Sequence, residues 1–145
     1  MTDLAIERVL KAPPATVFAY LTQSDHLLKW WGPEGMSVKE HNLDLSQQGV
    51  AWFSTLVNAE GGLHNMSGVV TEINAPHSVE FTWGWHDEDG NRGAETRVRM
   101  AVRPTGDGGT LLELMHYGLA DDEIAANHNR GWSSALIKLE RMANS

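Results

Sequence analysis

The chain contains no cysteine. That excludes a disulfide framework, a thiolate metal site and a cysteine nucleophile, and it fits a reducing compartment. Positive charge is also scarce: 11 Lys and Arg against 19 Asp and Glu leave a formal charge of −8. An acidic chain with no Lys/Arg cluster on any expected strand face opposes phosphate backbones and anionic lipid. Neither nucleic acid nor a membrane surface is therefore an expected partner. No apolar run approaches the roughly 18 residues of a membrane span, and the N-terminus lacks a basic segment followed by an apolar one. The expectation is a cytoplasmic protein with no membrane anchor. A Gly-x-Ser-x-Gly elbow, a phosphate-binding glycine loop and a His-x-x-x-His spacing are all missing, so no cofactor or metal is expected. Asp87-Glu88-Asp89-Gly90-Asn91 resembles a calcium loop only superficially. It lacks the ligand spacing and the terminal Glu, and reads better as a hairpin turn.

What is present is a chain of ordinary length and hydrophobicity: 145 residues, 41% hydrophobic. That predicts one domain over residues 1–145, with enough interior for a real core. Six tryptophans are the unusual feature. Side chains that large fill a core or line a pocket.

The stretch from Asp121 to Ala143 organises the rest. Ile124, His128, Gly131, Trp132, Ala135, Leu139 and Met142 recur at spacings of three and four, so they share one face of a helix. Asp121-Asp122-Glu123 suits the helix N-terminus, with Asp121 or Asp122 as the cap, and Lys138 and Arg141 suit its end. Upstream, Leu4–Leu10 alternates as a first strand, with Leu4, Ile6 and Leu10 on one face. Ala12-Pro13-Pro14 stops it and opens a short helix carrying Val17, Phe18 and Leu21. Ser24 is expected to cap a second helix through Leu27, Leu28, Trp30 and Trp31, which Gly32-Pro33-Glu34-Gly35 ends. Six strands follow, at Ser37–Leu45, Ala51–Asn58, Leu63–Ile73, Ser78–His86, Gly93–Arg103 and Thr110–Tyr117. Turn signals separate them, including the two-residue hairpin signal Asp89-Gly90. Sequential hairpins of this kind build an antiparallel meander.

Parity along these strands sorts the faces. Val79, Phe81, Trp83 and Trp85 share one side, as do Thr96, Val98, Met100 and Val102, and Thr110, Leu112, Leu114 and His116. Glu80 and Arg97 or Arg99 fall on the opposite, outer side, where they can form exposed ion pairs, and Tyr117 is expected to point outward. Phe81, Trp83, Trp85, Met100, Leu112 and Leu114 are therefore candidate walls of an apolar pocket; the alternative is that they simply fill the space under the helix. Trp30 and Trp31 are candidates for the pocket mouth, one packed and the other lid-like, because adjacent helical residues diverge. His116, His128 and Trp132 supply polar orientation and the helix side of the pocket. The two imidazoles either orient a ligand, act as general acid and base, or are core histidines satisfied by backbone or water.

An ordered set of residues also resembles a known family. It comprises Ala12-Pro13-Pro14, Leu21-Thr22, Trp30-Trp31-Gly32-Pro33, Gly68, Phe81-Thr82-Trp83, Thr96-Arg97-Val98, Gly109-Thr110, Leu112, His116, His128, Gly131-Trp132, Leu136 and Leu139. Together they resemble the activator of Hsp90 ATPase homologue (AHSA1-like) branch of the START/Bet v 1-like (SRPBCC) superfamily. The resemblance covers nearly the whole chain. It implies an α+β helix-grip fold: a strand, two short helices and a six-strand antiparallel sheet wrapped around a long C-terminal helix, with a cavity between. One departure is Gln48-Gly49, where the family usually has two glycines, so the bend there is expected to differ.

The leading functional expectation is binding of a small, largely apolar or aromatic molecule in that cavity, without a strong catalytic signature. One alternative is an enzyme of the cyclase, dehydratase or hydrolase kind using the cavity histidines. The other is a stress-response interaction module linked to Hsp90. Relatives that stimulate Hsp90 carry this domain joined to a second one, which is not expected here, and that weighs against a chaperone partner. Exposed strand edges and an acidic surface allow either a monomer or a homodimer.

Overall fold

The computed structural model describes residues 1–145. Strand β1 (Thr2–Leu10) leads into helices α1 (Pro14–Thr22) and α2 (Ser24–Trp30). Strands β2 (Ser37–His41), β3 (Ala51–Val57), β4 (Leu63–Asn74), β5 (Ser78–His86), β6 (Thr96–Pro104) and β7 (Thr110–Leu119) follow, and helix α3 (Asp122–Asn144) closes the chain. All seven strands form one curved antiparallel sheet in the order β1-β7-β6-β5-β4-β3-β2. The first strand pairs with the last, so α1 and α2 carry the chain across to the far edge, and the meander walks back. This is the expected helix-grip architecture.

Side-chain parity decides what the sheet wraps around. Val79, Phe81 and Trp83 of β5, Val98, Met100 and Val102 of β6, and Leu112, Leu114 and His116 of β7 are all buried on one face. Trp132, Ala135, Leu136, Leu139 and Ala143 of α3 are buried against the same core. Burying one such aliphatic side chain contributes about 1.5–3 kcal/mol, which is why the helix seats itself on this face. Its start is fixed by Asp121, whose carboxylate accepts the Ile124 amide at 2.9 Å. On the outer face Glu80 pairs with Arg97 at 2.7 Å, and Arg97 also lies over the Tyr117 ring. Arg8 shares the inner parity of Leu4, Ile6 and Leu10 yet is only half-buried; it reaches out to Glu140 of α3 at 3.0 Å.

Several expected boundaries move, each for a local reason. Strand β2 ends at His41 rather than Leu45. The Asn42 side chain accepts the Phe53 amide at 2.6 Å in place of a ladder bond, and the chain then turns inward so that Leu43 and Leu45 are fully buried. Gln23, not Ser24, occupies the N-cap of α2, and no side chain caps it. Asp89-Gly90 is not a two-residue hairpin: regular β5–β6 pairing stops at Trp83 opposite Thr96. Residues 87–95 instead form a longer loop in which the Asp87 carboxylate accepts the amides of Asp89 and Asn91. That bonding removes Gly93–Glu95 from β6. At the bend near Gln48, Gly49 takes φ +84° while the Gln48 side chain accepts the Ile73 amide at 3.3 Å.

One glycine is demanded by packing. A Cβ on Gly68 would lie 1.8 Å from the Thr82 carbonyl oxygen and 2.8 Å from the Trp52 indole nitrogen. Neither a backbone oxygen nor a buried indole can retreat. Gly68→Ala is expected to destabilise the fold by about 3 kcal/mol or more, read as a lowered midpoint in urea unfolding; an unchanged midpoint contradicts the packing described.

Candidate functional site

A cavity of about 450 Å³ opens between the sheet and the N-terminal half of α3. Its walls are built from five parts of the chain. The segment after α2 supplies Trp31, Gly32 and Pro33, strands β3 and β4 supply Leu56 and Met66, β5 supplies Trp83 and Trp85, and α3 supplies Ile124, Asn127, His128, Gly131, Trp132 and Ala135. Every strand contribution comes from the inward parity. The helix contribution is the stripe at spacings of three and four.

Indoles dominate the surface. Trp31 sits between Trp83 and Trp132, with ring centroids 5.7 and 6.0 Å away, and Trp52 backs it at 5.7 Å. Trp83 touches Trp132 at 5.4 Å and Trp85 at 5.5 Å. Tilted and edge-on arrangements at these distances satisfy the ring quadrupoles and hold the wall rigid.

His128 forms part of that wall and His116 stands behind it, their ring centroids 4.8 Å apart. The Trp132 indole N–H donates to His116 Nδ1 at 3.1 Å. An indole nitrogen only donates, so the His116 proton sits on Nε2, which meets Thr96 Oγ1 at 2.7 Å. The Thr96 hydroxyl passes its own proton to the Trp83 carbonyl. The second pair runs in the opposite sense: Trp85 donates to His128 Nε2 at 3.0 Å, and His128 Nδ1–H donates to the Ile124 carbonyl at 2.9 Å. Both rings are thereby fixed as neutral tautomers with both nitrogens engaged. Neither has a nitrogen free to take a substrate proton, and neither meets a carboxylate. Burial, with His128 as a lesser neighbour, pushes His116 down to about 3.

The wall indoles offer no exposed, unbonded N–H to the space. The indole nitrogens of Trp31, Trp85 and Trp132 all donate within the protein, Trp31 to Ser54 Oγ at 3.1 Å. The buried indole N–H of Trp83 has no acceptor. No Lys, Arg, Asp or Glu lines the space.

Of the residues expected from sequence, Trp31, Trp83, Trp85, His128 and Trp132 come together around the cavity, with His116 directly behind it. Trp30, Phe81, Met100, Leu112 and Leu114 do not. The last four point inward as parity requires, but they are fully buried within the core cluster and do not line the cavity. Parity reports which way a residue faces, not where along the helix it lies. Trp30 packs in the core and donates to the Tyr20 carbonyl at 2.9 Å. Trp31 is no lid: it is 2% exposed and forms a wall, whereas Trp85, 39% exposed, stands at the opening. Leu56, Met66, Gly32, Pro33 and Asn127 escaped the sequence reading. The alternation of Trp52, Ser54 and Leu56 and of Met66, Gly68 and Val70 carried the signal for the first two.

The neutral state of His116 has a consequence in solution. Unfolded chains protonate this ring near 6.5, whereas the folded protein resists until about 3. Between those values the unfolded state binds the extra proton, so stability is present above 6.5 and is lost as pH falls. The expected slope is up to about 1.4 kcal/mol per pH unit. Urea unfolding from pH 7 to pH 4 should show it, and His116→Asn should flatten it; equal pH profiles would contradict the assignment.

Comparison with known proteins gives the architecture a family. The model for the family described as "Activator of Hsp90 ATPase homolog 1-like protein" matches residues 11–144. An AHSA1 protein of known crystal structure from Silicibacter pomeroyi is 45% identical, with 97% of this chain and 96% of that one aligned at a TM-score of 0.92. Structures from Chromobacterium violaceum (23% identity, 99% and 97% coverage, TM-score 0.87) and Mycobacterium smegmatis (22%, 99% and 91%, TM-score 0.81) share the fold. A search of curated proteins finds no match. The chain belongs to the family of activator of Hsp90 ATPase homolog 1-like proteins.

Proposed function

We propose that this protein holds a small, uncharged, largely apolar or aromatic molecule between the sheet and α3, in a cavity that serves binding rather than catalysis. The observation that carries the reading is the cavity itself: about 450 Å³, walled by four tryptophans, with no charged side chain. Its size falls within the usual range for ligand pockets, and the rule for such sites is an apolar lining with a few placed polar groups. Here the placed polar group is Asn127, an exposed side chain on the lining whose oxygen accepts from Arg130 and whose NH₂ is left to donate. A ligand carbonyl or ether oxygen would accept from it. A carboxylate or ammonium would enter with nothing to pair it, at a cost of several kcal/mol. Engagement of both nitrogens in each histidine supports binding over acid–base chemistry.

Gly131 supports the same reading. A Cβ there would meet nothing nearer than Pro33 Cγ at 3.8 Å, an ordinary contact. Packing does not require glycine, and a mid-helix glycine is about 0.5–1 kcal/mol worse than alanine. What it leaves is room beside the cavity opening.

Quenching of tryptophan fluorescence tests the reading. An uncharged naphthyl ketone is expected to bind at least about tenfold more tightly than the matching naphthoate, a difference of roughly 1.4 kcal/mol or more. Equal or reversed affinities would sink the proposal. Gly131→Ala should raise thermal stability while weakening ketone binding. A stabilised variant that binds as well as the parent would remove Gly131 from the account.

A further inference from the structure

A second constellation lies on the opposite, outward-facing side of the sheet and is independent of the cavity. Asn65 and Ser67 of β4 and His86 of β5 share the outward parity, and His86 stands directly across the ladder from Asn65. Ser67 Oγ lies 2.8 Å from His86 Nε2. The other imidazole nitrogen, Nδ1, faces the Gly90 carbonyl at 3.3 Å. A carbonyl only accepts, so Nδ1 carries the proton and Nε2 is left to accept from the serine hydroxyl. Arg92 then donates from Nε to Ser67 Oγ at 3.1 Å, and from Nη2 to the Ser67 carbonyl at 2.9 Å.

These bonds all have one sense. The serine O–H points at a base, the base is oriented by a third group, and a guanidinium sits against the oxygen that would become negative. This is the arrangement that activates a hydroxyl nucleophile. A pocket of about 270 Å³ opens beside it, lined by Ser67, His86, Asn65, Thr55 and the half-exposed Phe53. Arg92 is not among its lining residues, so it backs the serine without filling the space. The Asn65 carbonyl oxygen accepts from Thr55 Oγ1 at 2.6 Å, which turns the amide so that its NH₂ remains available as a donor. Gly84 makes the guanidinium's seat: a Cβ there would lie 2.5 Å from Arg92 Cζ.

We propose that Ser67, His86 and Arg92 form a nucleophilic site for short-chain acyl esters. Ser67 Oγ attacks the ester carbonyl carbon and its proton passes to His86 Nε2. The tetrahedral oxyanion is met by the Asn65 NH₂. Collapse breaks the carbon–oxygen bond to the leaving alcohol, which takes the proton from His86 and departs, leaving an acyl-serine. Water, deprotonated by His86, then attacks the acyl carbon, releasing the carboxylic acid and returning the proton to Ser67. No oxidant or metal is needed. Asn65, Ser67 and His86 touch substrate, whereas Arg92 acts through the Ser67 oxygen and is a positioning residue.

The direct test is reaction of the intact protein with a fluorophosphonate probe, followed by mass spectrometry. The expected result is one adduct on Ser67, lost in Ser67→Ala and slowed at least tenfold in His86→Ala. Gly84→Ala should also slow it, since it evicts Arg92 while leaving serine and histidine in place. Circular dichroism establishes that each variant is folded. Should Ser67→Ala unfold, Ser67→Cys gives a second reading: its alkylation by iodoacetamide should be at least tenfold faster than in the Ser67→Cys/His86→Ala pair. Absence of a Ser67 adduct on the folded protein, or labelling and alkylation indifferent to His86, overturns the proposal and leaves Arg92 as a tether for the loop.

Discussion

Two hydrogen bonds of opposite sense hold the helix to the sheet at the cavity. Trp132 on α3 donates to His116 on β7, and Trp85 on β5 donates to His128 on α3. Each imidazole must be neutral to accept, and each is pinned in its tautomer by what its second nitrogen does. The pair fixes the rotation of α3 over the sheet at the level where packing alone is least able to, because the space beneath is open. Below that level Leu136, Leu139 and Ala143 are buried in a continuous core and need no such device. The bonds also freeze two of the four indoles that wall the cavity, so its shape does not depend on a ligand.

Neutrality is what makes these bonds worth having. A charged imidazole would present N–H to an indole N–H and would be stranded among aromatic faces far from any carboxylate. The protein therefore spends acid stability to keep an apolar chamber rigid. Gly131 makes a parallel concession, since the helix forgoes a better helix former that the space would accept. Gly68 is the contrary case, a glycine that packing dictates. Telling the two apart requires only asking what a Cβ would meet.

Much of this was legible in sequence. The long helix, its inner stripe and the inward parity of Trp83, Trp85 and His116 follow from spacing alone, because periods of 2 and 3.6 are imposed by backbone geometry, while residue type narrowed the cap to Asp121 or Asp122. The element order and the family resemblance agree on the helix-grip fold. What spacing does not encode is depth along the helix axis. Phe81, Met100, Leu112 and Leu114 satisfy the same pattern as Trp83 but lie in the filled part of the grip. Contacts between residues distant in sequence were equally hidden. Nothing near Ser67 indicates that His86 will be its neighbour until β4 and β5 pair, and Asp87 redirecting the loop moves Arg92 onto Gly84. The histidines were visible as candidates, but their partners were indoles on the facing element, which no local pattern names.

The central claim is that a rigid, uncharged aromatic chamber takes an uncharged, largely apolar ligand. Nitrogen-15 spectra of the six tryptophan indoles test it most directly. On addition of an uncharged naphthyl ketone, the Trp31 and Trp83 indole resonances, from rings that wall the cavity, should shift. Those of Trp85 and Trp132 should stay protected from exchange throughout. Trp31 and Trp83 resonances that do not respond while saturating changes appear elsewhere, or free exchange at Trp85 and Trp132, would contradict it.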